Sequence, residues 1–273
     1  MILLEPSGGV ANRMRVIASG LWLKKNSNHE LAVIWNLNKE LNCEFNLLFE
    51  TIPNVSFVKK KEKYFYLHRS NQLNFYKKIK AYFRNKSLGI DYSITEGDLK
   101  DKVFKNKIDQ IVRHNKNIHI STTQEFGDNY PEFKNFVPKA IIQKIINQQT
   151  ALYGDNTIGI HIRQTDNFIS IAKSPMSLFI TKIEEEINKN SETTFFLATD
   201  DPDVENVLTN LFGEKIIVYK KELSRDSQKG IIDAVIDMYC LSKTKYIYGS
   251  YWSSFSDIAA IIGDIDKITL KED

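Results

Sequence analysis

Residues 157–166 read TIGIHIRQTD, with Ile158, Ile160 and Ile162 on one side of an extended chain and His161 and Arg163 on the other. An apolar strand that ends in polar, charged residues recurs downstream. Thr194–Thr199 runs into Asp200-Asp201-Pro202-Asp203, and Lys245–Gly249 runs into Ser250-Tyr251-Trp252-Ser253-Ser254. Lys215–Tyr219 is a fourth strand candidate. Helical apolar spacing fills the gaps, over Ser177–Asn188, Asp203–Phe212 and Gly230–Ser242. Asp201-Pro202-Asp203 suits a helix start, because proline fits the first turn and a carboxylate complements the positive end of the dipole. Strands alternating with helices predict a parallel sheet covered on both faces.

The chain opens on the same grammar. Ile2–Leu4 is a buried-strand candidate, Pro6-Ser7-Gly8-Gly9 a turn, and Met14, Ile17, Ala18, Leu21 and Trp22 the apolar face of a helix. Leu31–Trp35 is the expected parallel partner strand. Between about 40 and 150 the pattern is less regular: short strands at Val55–Val58 and Ile118–Ser121, and a helix over Phe133–Gln149 bent at Pro138.

Composition excludes several classes. With 42% hydrophobic and 26% charged residues in 273, the chain is an ordinary globular one, long enough for one large or two modest domains. A formal net charge of +3 does not mark a nucleic-acid binder. Two distant cysteines, Cys43 and Cys240, make neither a disulfide framework nor a four-cysteine zinc site, which predicts a reduced, cytoplasmic protein. MILLEPSGG has no basic or apolar region of a secretory signal, and no stretch approaches the roughly 20 apolar residues of a membrane span. One segment departs from the average. Lys59–Lys86 is strongly basic and carries Tyr64, Phe65, Tyr66, Phe75, Tyr76, Tyr82 and Phe83 among its lysines. That mixture suits an RNA-stacking surface, a membrane-surface or acceptor-binding helix, or simply an amphipathic helix with a solvated basic side.

In open α/β sheets ligands bind beyond the carboxyl ends of the strands, so the polar strand ends are the candidate site. Arg163 offers a planar, permanently charged fork to a diphosphate; its bland alternative is a loop-pinning pair with Asp166. Asp200 and Asp201 could meet a guanine edge, ribose hydroxyls or a metal; the plainer alternative is that Asp201 and Asp203 cap the next helix. Ser250, Ser253 and Ser254 lie between a strand and a helix, where backbone N–H groups attract an anion. Asp233 and Asp237 share one helix face. Gly8, Gly9, Asn12 and Arg13 allow a ligand close to the backbone, with Arg13 and Arg15 available to an anion, although the spacing is neither a dinucleotide fingerprint nor a P-loop.

Taken in order, HIRQTD, FFLATDDPD and GIIDAVIDMYCLSKTKYIYGSYWSS resemble the three ordered motifs of the α1,2-, α1,6- and protein O-fucosyltransferase superfamily, and GGVANRMR resembles its N-terminal glycine-asparagine loop. The resemblance covers residues 5–16 and about 155–260 and suggests a bacterial-type member. It implies a GT-B-like α/β fold of two Rossmann-like domains facing a cleft, 1–150 on the acceptor side and 151–273 binding the nucleotide sugar. It also implies a GDP-fucose donor, inversion at the anomeric carbon, no cofactor and no essential metal. Residue by residue, Arg163 would neutralise the β-phosphate, His161 and Asp166 would shape that loop, and Asp200 or Asp201 with Asp237 would contact guanine or ribose. Ser253 or Ser254 would meet the phosphates, and Asn12 would sit at the acceptor side.

Two departures stand out: Gln164 replaces a second arginine, and Ile171 replaces the glutamate that serves the α1,6 enzymes as base. Acceptor activation must then differ, and Glu5, at a strand end before the glycine turn, is the candidate base. The expected partners are GDP-fucose and a glycan acceptor, lipid-linked or free, of surface polysaccharide or lipopolysaccharide synthesis, with no nucleic acid. Peripheral contact with the inner membrane face is the corresponding location. A transferase of this fold with another donor, and a non-catalytic nucleotide or RNA binder, are the rival readings.

Overall fold

The computed structural model describes residues 1–58, 83, 85–87, 89–165, 168–224 and 226–272. The expected basic-aromatic stretch therefore lies outside the described residues, apart from Phe83 and a few polar neighbours such as Lys86. The chain divides into two compact units, Met1–Val137 and Pro138–Asp273. The compact units meet at 137/138, where the sequence suggested 150, and the helix Ala140–Thr150 packs on the helix Gln228–Leu241 of the second unit. The single bent helix expected over Phe133–Gln149 is also replaced. A 3₁₀ helix covers Tyr130–Asn135 and a separate α-helix starts at Ala140, since Pro138 cannot donate the hydrogen bond that would join them.

Each unit is a five-stranded, wholly parallel sheet. The first contains β1 (Ile2–Pro6), β2 (Leu31–Ile34), β3 (Val55–Val58), β4 (Tyr92–Thr95) and β5 (Ile118–Thr122) in the order β3-β2-β1-β5-β4. The second contains β6 (Thr157–Ile162), β7 (Thr194–Thr199), β8 (Ile216–Val218), β9 (Ile247–Ser250) and β10 (Lys267–Leu270) in the order β10-β9-β6-β7-β8. In both, the unit's first strand is central and the chain builds outward on one side before crossing to the other. That reversal creates a switch point, beside β1 and β5 in the first sheet and beside β6 and β9 in the second. This is the doubly wound α/β architecture that the alternation of strands and helices predicts.

The central strands are buried on both faces: every residue of β1, β2 and β6 is buried. On one face of the second sheet, Ile158, Ile160, Ile162, Phe195 and Leu197 pack with Phe179, Ile183, Val204 and Leu208 of its helices. The helix Val10–Lys25 lies on the first sheet so closely that a Cβ on Gly20 would meet Leu4 at 2.7 Å. Gly127 shows the same tightness in a turn: its φ is +69°, and a Cβ there would lie 2.2 Å from the Trp22 ring. Gly127→Ala is expected to cost ~3 kcal/mol, lowering the melting temperature by roughly 10 °C. An unchanged melting curve would contradict this packing.

Candidate functional site

In the second unit the strand ends are tied to one another before any ligand is considered. Ser250, fully buried at the end of β9, accepts the backbone N–H of Arg163 at 3.1 Å and so joins β9 to the end of β6 at the switch point. Asp200, at the end of β7, accepts the Gln164 N–H at 2.8 Å and the Thr165 hydroxyl at 2.6 Å. The loop that carries the half-buried Arg163 is therefore gripped from both neighbouring strands. Both Asp200 oxygens are engaged in this grip, so its observed contacts are with the loop. Asp201 accepts the Asp203 N–H at 2.9 Å as the cap of the helix Pro202–Phe212, the plainer of the two roles considered for it. Asp166 lies outside the described residues.

Beyond β9 the chain turns through Trp252 at φ +54°, a left-handed conformation that a bulky residue adopts at a cost of about 1–3 kcal/mol. The turn delivers Ser253 as the residue before the helix Ser254–Gly263. Its hydroxyl makes no capping bond; it is fully buried and has no hydrogen-bond partner. An unsatisfied buried hydroxyl beside the N–H groups of a ten-residue helix is an arrangement that favours an anion.

A second unsatisfied group sits on the helix Gln228–Leu241. Asp237 is buried and forms an ion pair with Lys221, Nζ to Oδ2 2.6 Å, at an angle poor for a hydrogen bond, while its Oδ1 has no partner. Burial pushes the Asp237 carboxyl up to about 6 against the pull of Lys221. Its neighbour Asp233 is spent instead on structure, accepting from Tyr219 (2.8 Å), the Glu222 N–H (2.9 Å) and Lys229 (2.8 Å). It thereby fixes the segment after β8 that presents Lys221. Lys221 carries no motif of its own; only the return of this segment over Asp237 reveals it.

His161 stacks on Phe255 with ring centres 5.0 Å apart, and its Nδ1 has no partner. Burial first, then Arg163, Lys267 and Lys221, hold its imidazolium form off until about pH 3, so it is neutral at working pH. The unfolded chain protonates this histidine below about 6.5 while the folded one does not. Stability is therefore full above 6.5 and lost as pH falls toward 3, by ~2 kcal/mol at pH 5. His161→Phe, which keeps an aromatic ring against Phe255, is expected to shrink the drop in melting temperature between pH 7 and pH 5. An equal drop in both proteins would refute that origin.

In the first unit, a cavity of about 420 Å³ opens at the carboxyl ends of β1, β2 and β5, lined by Glu5, Pro6, Ser7, Asn36, Asn38, Glu40 and Ser121. It lies at the switch point of that sheet. Gly8 reaches φ +84° there and donates its N–H to Glu40 at 3.1 Å, and a Cβ on it would strike the Asn12 side chain at 2.6 Å. Gly9 precedes the helix and accepts the Arg13 N–H. Arg13, expected as an anion contact, is held by the protein's own oxygens. It is fully buried, with Nε on the Gly8 carbonyl (2.9 Å), its other nitrogens on the Asn36 carbonyl and Asn38 Oδ1 (3.2 Å), and its charge 4.9 Å from the Trp35 ring centre. Burial draws its pKa down to about 10, still cationic at neutral pH. Arg15 likewise donates to the Thr123 carbonyl at 2.8 Å. Both arginines brace loops of this unit, Arg13 those after β1 and β2 and Arg15 the one after β5.

Glu5 is buried, accepts from the Asn36 amide at 2.9 Å and lies 3.1 Å from His119 Nε2. His119 has no role in the sequence reading, yet Ile118-His119-Ile120 repeats the pattern of Ile160-His161-Ile162 and marks an inward polar residue between two apolar ones. Among the described residues, no group of three or more His, Cys, Asp or Glu side chains is placed to hold a metal ion. Among them too, no helix is long and apolar enough to cross a membrane.

No family model matches the sequence, and no curated protein does. Solved structures do. A crystal structure of the α1,6-fucosyltransferase NodZ soaked with GDP-fucose superposes with a TM-score of 0.64 at 16% identity, over 96% of this chain and 92% of that one. The chain has the GT-B fold of fucosyltransferases. Arabidopsis thaliana FUT1 in complex with GDP shares this GT-B fold at TM-score 0.63 and 16% identity, over 98% of this chain and 69% of that one. POFUT1 in complex with GDP does so at 0.58 and 10%, over 98% and 97%. Open α/β sheets as a class take ligands at such switch points, and each unit of this chain has one.

Proposed function

We propose that the protein is an inverting fucosyltransferase that takes fucose from GDP-fucose to a glycan hydroxyl. The observation that carries this reading is a pair of unsatisfied buried polar groups in the second unit, Ser253 Oγ before a helix N-terminus and Asp237 Oδ1 beside Lys221, together with Arg163 on the loop that Ser250 holds at the end of β6. Anion donors plus a buried carboxylate suit a nucleoside diphosphate whose base or ribose donates hydrogen bonds. The superposed NodZ crystal was soaked with GDP-fucose, which supports the same donor here.

In this reading Arg163 neutralises the β-phosphate as the bond from fucose C1 to its oxygen breaks. Ser253, Ser254 and the helix N-terminus receive the phosphates, and Asp237 receives guanine or ribose. Asp200 and Ser250 hold the loop, with Asp166 assigned to it from the motif. Preorganised positive charge is the main source of rate, because the leaving GDP gains negative charge in the transition state. Acceptor chemistry is assigned to the first unit, with Glu5 as base and Asn12 beside the Gly8–Gly9 turn. Gln164 and Ile171 argue against inheriting the α1,6 linkage. A glycan of surface polysaccharide or lipopolysaccharide synthesis, met on the cytoplasmic side, is the proposed acceptor. The test is release of GDP from GDP-fucose, with GDP-mannose and UDP-sugars as controls. Turnover of GDP-fucose is expected, and turnover of only another sugar nucleotide would replace the donor.

A further inference from the structure

The first unit buries a titratable side chain that none of these roles uses. His119 Nε2 lies 3.1 Å from Glu5 Oε2, with both side chains no more than 2% exposed. The two come from adjacent strands: His119 pairs in register with Leu3 and Glu5 with Ser121, so the imidazole reaches diagonally from β5 to β1. From the other side, Asn36 at the end of β2 donates to Glu5 Oε1 at 2.9 Å. Glu5 lines the 420 Å³ cavity, whereas His119 is not part of its lining and stands behind the carboxylate. Burying a carboxylate this deeply is expensive unless donors hold it, and here donors from both neighbouring strands do.

We propose that His119 is a positioning residue for Glu5, holding its carboxylate ionised and directed at the cavity to take the acceptor's proton. This rests on the assignment of Glu5 as base. In the step, the acceptor oxygen bonds to fucose C1, its proton passes to the Glu5 carboxylate, and GDP leaves with the electrons of the broken C1–O bond. His119 donates Nε2–H to Glu5 throughout and neither gains nor loses a proton.

Groups near the pair among the described residues include Ser93 on β4, opposite His119 in register, Glu40 at the cavity wall, and Arg13, bound to the Asn36 carbonyl. The charged ones among them, Glu40 and Arg13, are unchanged in the variants below. A donor to the ionised carboxylate favours that form. Removing it makes Glu5 easier to protonate, so activity should fail at a higher pH as the solution is acidified.

The assay is GDP release from GDP-fucose, with water as acceptor, across pH, alongside calorimetric GDP binding as a check on the second unit. Glu5→Gln should lose ~100-fold or more. His119→Phe should lower kcat about tenfold and move the acid limb up by about one pH unit, with GDP affinity unchanged. His119→Gln, which retains an N–H donor, should recover most of both. If the phenylalanine variant does not fold, His119→Asn, too short to reach Glu5, replaces it in the comparison with Gln. An unmoved acid limb and wild-type kcat in the donor-less variant, with Glu5→Gln inactive, overturns the inference alone. A fully active Glu5→Gln overturns the base assignment and the inference with it. Absence of GDP release by the wild-type protein overturns the donor reading instead.

Discussion

Arg163→Ala should reduce GDP release from GDP-fucose by ~10²–10³-fold while leaving the fold intact, the scale expected when one preorganised donor to a developing negative charge is removed. The loss should fall on kcat more than on KM, because the interaction strengthens as the C1–phosphate bond breaks. The fold should survive because the loop is anchored by main-chain and neighbouring groups: Ser250 holds the Arg163 N–H and Asp200 holds Gln164 and Thr165. Arg163 is only half-buried, so truncating it removes little packing. Retained turnover in this variant would remove the central step of the mechanism.

Asp200→Ala is the complementary experiment. It leaves Arg163 present but deletes both side-chain contacts that seat its loop on β7. Two hydrogen bonds to a carboxylate are lost, so a stability decrease of about 2–4 kcal/mol is expected. Misplacement of a charge that must meet the leaving phosphate is expected to slow turnover ~10–100-fold. Asp200→Asn should recover part of both, since its amide oxygen can still accept the Gln164 N–H. Equal loss of rate in Asn and Ala variants, with normal stability in each, would indicate that Asp200 contacts the ligand directly.

The doubly wound architecture was readable wherever local pattern and burial agree. β1, β2, β3 and β7 and the helices Val10–Lys25, Met176–Lys189 and Pro202–Phe212 begin or end within a few residues of their expected bounds. The elements that escaped are those fixed by distant partners. Tyr92–Thr95 is a four-residue edge strand whose identity comes from pairing with Ile118–Ser121. Lys267–Leu270 is a partly exposed edge paired with β9. Neither has an alternation strong enough to be seen alone.

The same division holds in the candidate site. Residues at strand ends were legible because topology places them there. What each side chain touches was not: Arg13 reads as available to an anion in GGVANRMR, yet three oxygens from two loops surround it. Lys221 and His119 were invisible for the converse reason. Each gains its meaning from a single acidic partner, Asp237 at 2.6 Å and Glu5 at 3.1 Å, brought from another element.

The donor is the claim on which the account turns, and it can be measured without knowing the acceptor. The melting temperature of the protein should be followed with GDP, GDP-fucose, GDP-mannose, UDP-sugars and RNA, each well above a micromolar-range dissociation constant. A ligand at about 100 times its Kd stabilises the folded state by ~2.7 kcal/mol, enough to read as a clear shift. Selective stabilisation by GDP and GDP-fucose is the predicted result. A response confined to UDP-sugars, or to RNA, would contradict it.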